Sequence, residues 1–359
     1  MGAWRITVPP AKDELLSGWL CRVAFAQGCT PYGLCVNYLN DQSLWARDVD
    51  RGPVSPHLES LAALSQLDVT DLRSMTLMPW IERLSKRYRK PSSTTVTPWI
   101  NAAGVFHRKR RRHALSYCPE CLAATGVVRK QWRLAFMVTC EIHKRMLRDG
   151  CPRCDAPFVP HRSLRDLRSC DSCGYGNLTR EATKTANDEA SLSAGVADLQ
   201  RRLLASVENG LPTIENGPCM LEDLRAVVSV LLARPNVAVT MDCLSCLPVG
   251  VAQLTGRLEF SRVSERIGAM RACHALIANW PASIRTVAAK LALTQRPFVR
   301  LAFGRWLGEE VDRLPPGTTH SRRALAPSLG SRVARIHALR PKNWRAERAR
   351  LILRGSRLL

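Results

Sequence analysis

Four short half-sites stand in a row in the middle of the chain. They are Cys118-Pro119-Glu120-Cys121, Cys140-Glu141-Ile142-His143, Cys151-Pro152-Arg153-Cys154 and Cys170-Asp171-Ser172-Cys173. Thiolate and imidazole are donors that zinc prefers, and a tetrahedral shell takes four of them. Two donors three positions apart can face one ion, and two such pairs close its shell. The eight residues therefore provide for two Zn2+ ions. Pairing neighbours puts Cys118, Cys121, Cys140 and His143 in one site and Cys151, Cys154, Cys170 and Cys173 in the next. That pairing closes the shorter loops, which costs less entropy. The interleaved pairing of a cross-brace module is the alternative. In either arrangement four protein ligands surround each ion, so the sites are structural and leave no position for a substrate water. Disulfides are the other use of such cysteines, but these spacings are those of zinc half-sites rather than of a small secreted framework.

No other chemistry of comparable specificity is present. The chain has no H-E-x-x-H, no G-x-x-x-x-G-K phosphate loop and no nucleophile elbow, so an enzyme is not expected and no catalytic residue is assigned. Cys243 and Cys246 form an isolated C-x-x-C, with Cys219, Cys273 and His274 as completing ligands if a third metal site exists; loop thiols are the plainer reading. The first residues lack the charged-then-apolar pattern of a secretory leader, and no apolar run is long enough to span a membrane. A reducing, cytoplasmic, nucleoid-associated setting is therefore expected, with the remaining cysteines as free thiols.

The formal net charge of +23 over 359 residues points to a polyanionic partner. DNA is the first candidate, because neutralised phosphates release counterions and supply affinity without sequence preference. The charge is clustered. Arg108-Lys109-Arg110-Arg111-Arg112 is unbroken and runs straight into the first half-site. Beyond Arg322 the tail is rich in arginine, with Glu347 its one acid. A helix over 341–353 would set Trp344, Leu351 and Ile352 against arginines.

The elements that must hold these groups read as helices. Apolar residues make up 46% of the chain, enough for real cores. Leu15, Leu16, Trp19, Leu20 and Val23 share one helical face, with Asp13 and Glu14 in the first turn and Gly28 as the stop. A second helix follows Pro31. Leu58, Leu61, Ala62 and Leu64, then a turn, then Thr70 as cap for a second short helix, make a helix-turn-helix or an ordinary helical pair. Lys130 to Phe136 reads as a helix burying Trp132 and Phe136. Further helices are expected at 188–207, 220–234 and 259–278. The best reading unit for DNA is a helix-turn-helix at 281–304. Thr294 would cap its second helix, and Gln295, Arg296 and Arg300 would lie near that helix's start, where base edges are touched. A core hairpin with solvated arginines is the alternative. The fold expected is mainly α: a helical N-terminal domain (1–104), a tandem zinc-binding module (105–180), a helical C-terminal domain (181–319) and a basic tail (320–359).

Several of these residues together resemble the TniQ family. The block Tyr117-Cys118-Pro119-Glu120-Cys121-Leu122, Trp132-Arg133, Cys140-Glu141-Ile142-His143 with Leu147, and Cys151-Pro152-Arg153-Cys154 is similar to that family's zinc motif. Pro10, Asp13 to Ser17, Trp19-Leu20 and Arg22 are similar to its opening motif. One departure is Gly18, which stands between a serine and a tryptophan that the family motif sets side by side. The resemblance covers roughly the first half of the chain. It implies an accessory, non-catalytic protein of heteromeric DNA transposition. Such a protein marks a target by binding DNA or by joining an RNA-guided effector complex, alone or as a homodimer, and recruits an AAA+ ATPase regulator and with it the transposase complex. A zinc-containing helix-turn-helix transcription regulator is the alternative.

Overall fold

The computed structural model describes residues 3–52, 54–85, 97–103, 113–175, 194–211, 213–214, 219–232, 258–298 and 305–316. The chain divides into the units Met1–Pro315 and Pro316–Leu359. Apart from Pro316 the second unit, which holds most of the basic tail, lies outside the described residues. So do the boundaries expected near 104 and 180. Among the described residues the fold is helical, with isolated β-bridges and no extended strand.

The N-terminal region begins with α1 (Leu16–Ala26), whose Leu16, Trp19, Leu20 and Val23 are buried. The helix starts later than its acidic first turn predicts. Asp13 takes a left-handed φ of 57°, and Glu14 is bridged to Arg129, so both precede the helix. The Glu14 carboxylate is buried and accepts from Arg22 at 2.7 Å and from the Ala11 amide at 2.8 Å. An ion-pair partner eight residues on, in the second turn of α1, outweighs the modest dipole benefit of an exposed first-turn acid. Gly28, at φ 72°, lies just beyond the helix end as expected. In α2 (Pro31–Leu39), Thr30 Oγ1 accepts from the Gly33 amide at 3.0 Å, a proper N-cap.

The short helices α3 (Leu58–Ser65) and α4 (Val69–Ser74) follow, then α5 (Met78–Ser85). Thr70 lies inside α4 rather than capping it; Asp68, in extended backbone, is the flanking residue. With six residues α4 is too short to reach across a groove, and α3 and α4 pack as a helical pair.

The middle of the chain holds one regular helix, α6 (Pro119–Thr125). Lys130 to Arg133 form a single 3₁₀ turn and not the helix through Phe136 that the apolar spacing predicts. Tertiary partners explain the difference. The Ala135 amide donates to the Trp99 carbonyl at 2.6 Å, and the carbonyls of Leu134, Ala135 and Met137 all accept from Arg266. Trp132 and Phe136 are nonetheless fully buried, as expected.

The C-terminal part contributes α7 (Ala194–Asn209), α8 (Leu221–Leu232), α9 (Val263–Ala278), α10 (Ala282–Lys290) and α11 (Arg305–Asp312). Helix α9 packs against α7, α8 and α10. Trp99 ties this part to the rest: its amide donates to Glu259, its indole N–H to the Leu221 carbonyl, and its ring meets Phe136 edge-on at 5.7 Å.

Candidate metal centres

Three of the four half-sites share one backbone device. The amide of the first ligand donates to the carbonyl five residues on: Cys140 to Arg145, Cys151 to Ala156, and Cys170 to Tyr175. The carbonyl of that ligand accepts from the residue four on: Lys144, Asp155 and Gly174. Each of those three takes a left-handed φ, of 54°, 54° and 66°. The turn this makes points amides at sulfur, as His143 N and Arg153 N do toward Cys140 Sγ (3.5 Å) and Cys151 Sγ (3.4 Å). The remaining half-site is helical. Cys118 is the N-cap of α6, Pro119 occupies the first turn and Cys121 lies one turn in, so both thiols leave the same end of the helix.

These turns bring the donors together in two groups, Cys118, Cys121, Cys140 and His143, and Cys151, Cys154, Cys170 and Cys173. Within each group all four ligand atoms lie within 4.8 Å of one another. The grouping is sequential, not interleaved. A tetrahedral zinc site requires S···S edges of about 3.8 Å and S···N edges of about 3.5 Å. In the first group Cys121 Sγ is 3.6 Å from Cys140 Sγ, and His143 Nδ1 lies 3.4, 3.3 and 3.6 Å from the sulfurs of Cys118, Cys121 and Cys140. In the second, Cys151 to Cys173 is 3.8 Å and Cys154 to Cys170 is 3.7 Å. The donor sets fit zinc, which His143 would hold through Nδ1.

The electrostatics agree. Hydrogen bonds from Cys118 and Cys121 hold the Cys140 thiol far below its ordinary range, while hydrogen bonding with Cys121 and Cys140 pushes Cys118 far above it. Burial pushes Cys170 up to about 12. Without a cation, thiols this close cannot all ionise; a divalent ion would compensate the thiolates, and with four protein ligands it would be a cross-link with no reactive position.

Around the sites lies a shell that sequence reasoning missed. Gln200 of α7 is buried and acts as a strand would. Its carbonyl accepts from the amides of Val138 (2.9 Å) and Thr139 (3.1 Å), and its amide donates to Thr139 O, beside Cys140. Arg266 of α9 is wholly buried. It donates to three main-chain carbonyls and to Ser116 Oγ at 2.8 Å, and burial lowers its pKa to about 10. Asp149 accepts from the Val263 amide at 2.7 Å, capping α9 from the cysteine-rich region. Tyr117 Oη donates to the Gly150 carbonyl at 2.9 Å, joining the two sites. The one sequence signal for these was a polar residue on an apolar helical face, which Gln200 and Arg266 both are.

A second buried network links the two ends of the motif-bearing region. Arg133 donates to both oxygens of Asp48 (2.6 and 3.2 Å) and to Asp50 at 3.1 Å. Asp50 also accepts from the Ser17 amide and hydroxyl at 2.9 and 2.8 Å. Burial pushes Asp50 up to about 6.

The residues expected to touch DNA fare differently. Arg108 to Arg112 lie outside the described residues. His113, which follows them, is fixed by a 2.9 Å contact from Nε2 to the Asp155 carbonyl. Gln295 turns inward, its amide donating to the carbonyls of Asp312 (3.1 Å) and Leu314 (2.9 Å). Arg296 is exposed, and Arg300 lies outside the described residues. A 3₁₀ turn, Arg296–Phe298, stands where the second helix of the expected helix-turn-helix would begin, so that unit is not confirmed. Cys243 and Cys246 also lie outside the described residues; among the described residues the two groups above are the clusters that could hold a metal ion. No helix among the described residues is long and apolar enough to cross a membrane.

Residues 5–147 match a family model described as TniQ. The match includes Cys118, Cys121, Cys140 and His143 and ends before Cys151. No curated protein matches the sequence.

Proposed function

We propose, from the premise that residues 5–147 belong to the TniQ family, that this chain is a target-selection protein of a heteromeric DNA transposition system. A TniQ domain carries a transposition-associated, non-catalytic role in general. The finer reading is that the chain binds DNA, or a DNA-bound guide complex, and recruits an AAA+ ATPase regulator and the transposase. The observation that carries it is the family match over residues 5–147, which includes the Cys118, Cys121, Cys140 and His143 cluster; four protein donors at that cluster would leave a bound ion no catalytic position. The net charge of +23 supports a nucleic-acid partner. Gln295 facing inward argues against base reading at 295–300 as the main mode, so no specific observation favours the transcription-regulator alternative.

A pull-down of the purified chain with an AAA+ ATPase and a transposase encoded beside it, run with and without DNA at two salt concentrations, tests the proposal. The expected result is retention of the ATPase, and DNA retention that falls steeply as salt rises. Failure to retain either partner at low salt would overturn it.

A further inference from the structure

The two clusters are built alike but sit differently. Cys118, Cys121 and Cys140 are all buried, whereas in the second cluster Cys154 is exposed and Cys173 half-exposed. The second cluster also holds something the first does not. Its Cys151–Cys154 turn lies between Asp149 and Asp155, and both carboxylates grip the start of α9. Asp155 takes Arg262 through two hydrogen bonds of 2.6 and 2.7 Å; Asp149 takes Arg262 at 3.2 Å and the Val263 amide at 2.7 Å. The geometry of that turn depends on Cys151, whose carbonyl fixes the Asp155 amide at 2.9 Å.

We propose that the second cluster is an oxidisable latch: a peroxide reaches Cys154, zinc leaves that site first, and the first turn of α9 is released while the first cluster stays closed. This rests on the two-zinc reading above. The Cys154 thiolate attacks one peroxide oxygen and breaks the O–O bond, giving a sulfenic acid and hydroxide. The Cys170 thiolate, 3.7 Å away, then attacks the sulfenic sulfur and expels a second hydroxide, leaving a disulfide. Two electrons pass from the two thiolates to the peroxide. Cys151 and Cys173 remain as donors, too few to retain the ion. Without the ion the turn loosens, and Arg262 and the Val263 amide lose their carboxylate partners. Arg266, anchored to the carbonyls of 134, 135 and 137, keeps the next turn of α9 in place, so the release is local.

The test is a peroxide titration of the full-length, reduced protein. Zinc release is followed by a chromogenic chelator, thiols are mapped by alkylation and mass spectrometry, and amide exchange is followed at 263–267. Two zinc ions per chain at the start are expected. The first should leave at least about tenfold faster than the second, as exposure of the attacking thiolate dictates. Cys154 and Cys170 should be oxidised at that point, with Cys118, Cys121 and Cys140 intact and exchange raised at Val263. The substitution Cys154→His, which gives the second site the donor set of the first, should keep both ions and abolish the fast phase. In case that variant loses zinc, Asp149→Asn should raise exchange at Val263 with both ions bound. Fewer than two ions at the start would sink the two-zinc reading itself. Two ions leaving together, release first from the Cys118 site, or unchanged exchange at Val263 in Asp149→Asn would overturn the latch alone.

Discussion

Asp50 concentrates the logic of this protein at the scale of one residue. It is buried between α1 and the cysteine-rich region, accepts from Ser17, and shares Arg133 with Asp48. Removal from water disfavours its charge more than the shared guanidinium restores it, so its pKa rises from 3.8 to about 6. Between those values the folded state holds the proton more tightly than the unfolded chain does. Stability therefore falls as pH rises from 3.8 to about 6 and levels off above. Asp50→Asn should reduce that slope, with Glu14, also raised by burial, contributing what remains. Denaturation midpoints across the window check this; equal slopes in both proteins would assign the dependence elsewhere. Gly18 is a second single-residue case. It departs from the family motif, yet it serves a close approach: a Cβ there would lie 2.9 Å from Val128 Cβ. Gly18→Ala should cost about 1–3 kcal/mol by overpacking. Chemical denaturation of Gly18→Ala with Val128→Gly, which removes the opposing Cβ, should show the pair costing less than the sum of the two single changes.

The elements that matter most are turns and the helices that hold them. The three matching turns at Cys140, Cys151 and Cys170 each need a left-handed residue four positions on, and only one of the three, Gly174, is glycine. Spacing of the ligands was legible in the sequence; this backbone device was not, because Lys144 and Asp155 are not residues that signal it. The first turn is steadied by α7. Gln200→Leu should leave two main-chain donors and a carbonyl buried without partners, at a cost of about 2–4 kcal/mol. Urea denaturation measures the cost, and faster amide exchange at Val138 and Thr139 locates it. Zinc content should stay at two, since Gln200 touches no ligand atom. Helix α9 plays the matching part on the other side through Arg266 and the cap from Asp149.

At the scale of the whole molecule, the stretch from Tyr117 to Tyr175 has one short α-helix and no sheet; Val128, Trp132 and Phe136 share the apolar core of α1, and the two clusters are placed to cross-link a backbone that little regular structure holds. Structural zinc contributes on the order of 10 kcal/mol per site. A strong chelator at neutral pH should therefore unfold this stretch and raise exchange throughout it, while α1 and α2 keep part of their protection. Circular dichroism and exchange read this out, and zinc with thiol reductant should restore the fold. A protein indifferent to chelation would refute the structural role. The same reasoning explains what the periodicity of Lys130 to Phe136 concealed. Its apolar residues are buried as expected, but after one 3₁₀ turn the backbone bonds to Trp99 and Arg266 and does not continue as a helix.

The sequence alone determined which eight side chains gather, the positions of most helices and the resemblance to TniQ; it favoured the sequential grouping of the ligands, and the structure decided between that and the interleaved one. Ligand type, short spacing and 3.6-residue periodicity are local properties, and each leaves its mark within a few residues. Only the tertiary structure decided what those residues are fastened to. Gly18 lies against Val128, Gln200 against Thr139, Asp149 against Val263 and Arg266 against 134–137. Such partners lie tens to more than a hundred positions apart. What selects them is the need to satisfy buried polar groups, and that need exists only once the chain has closed around them.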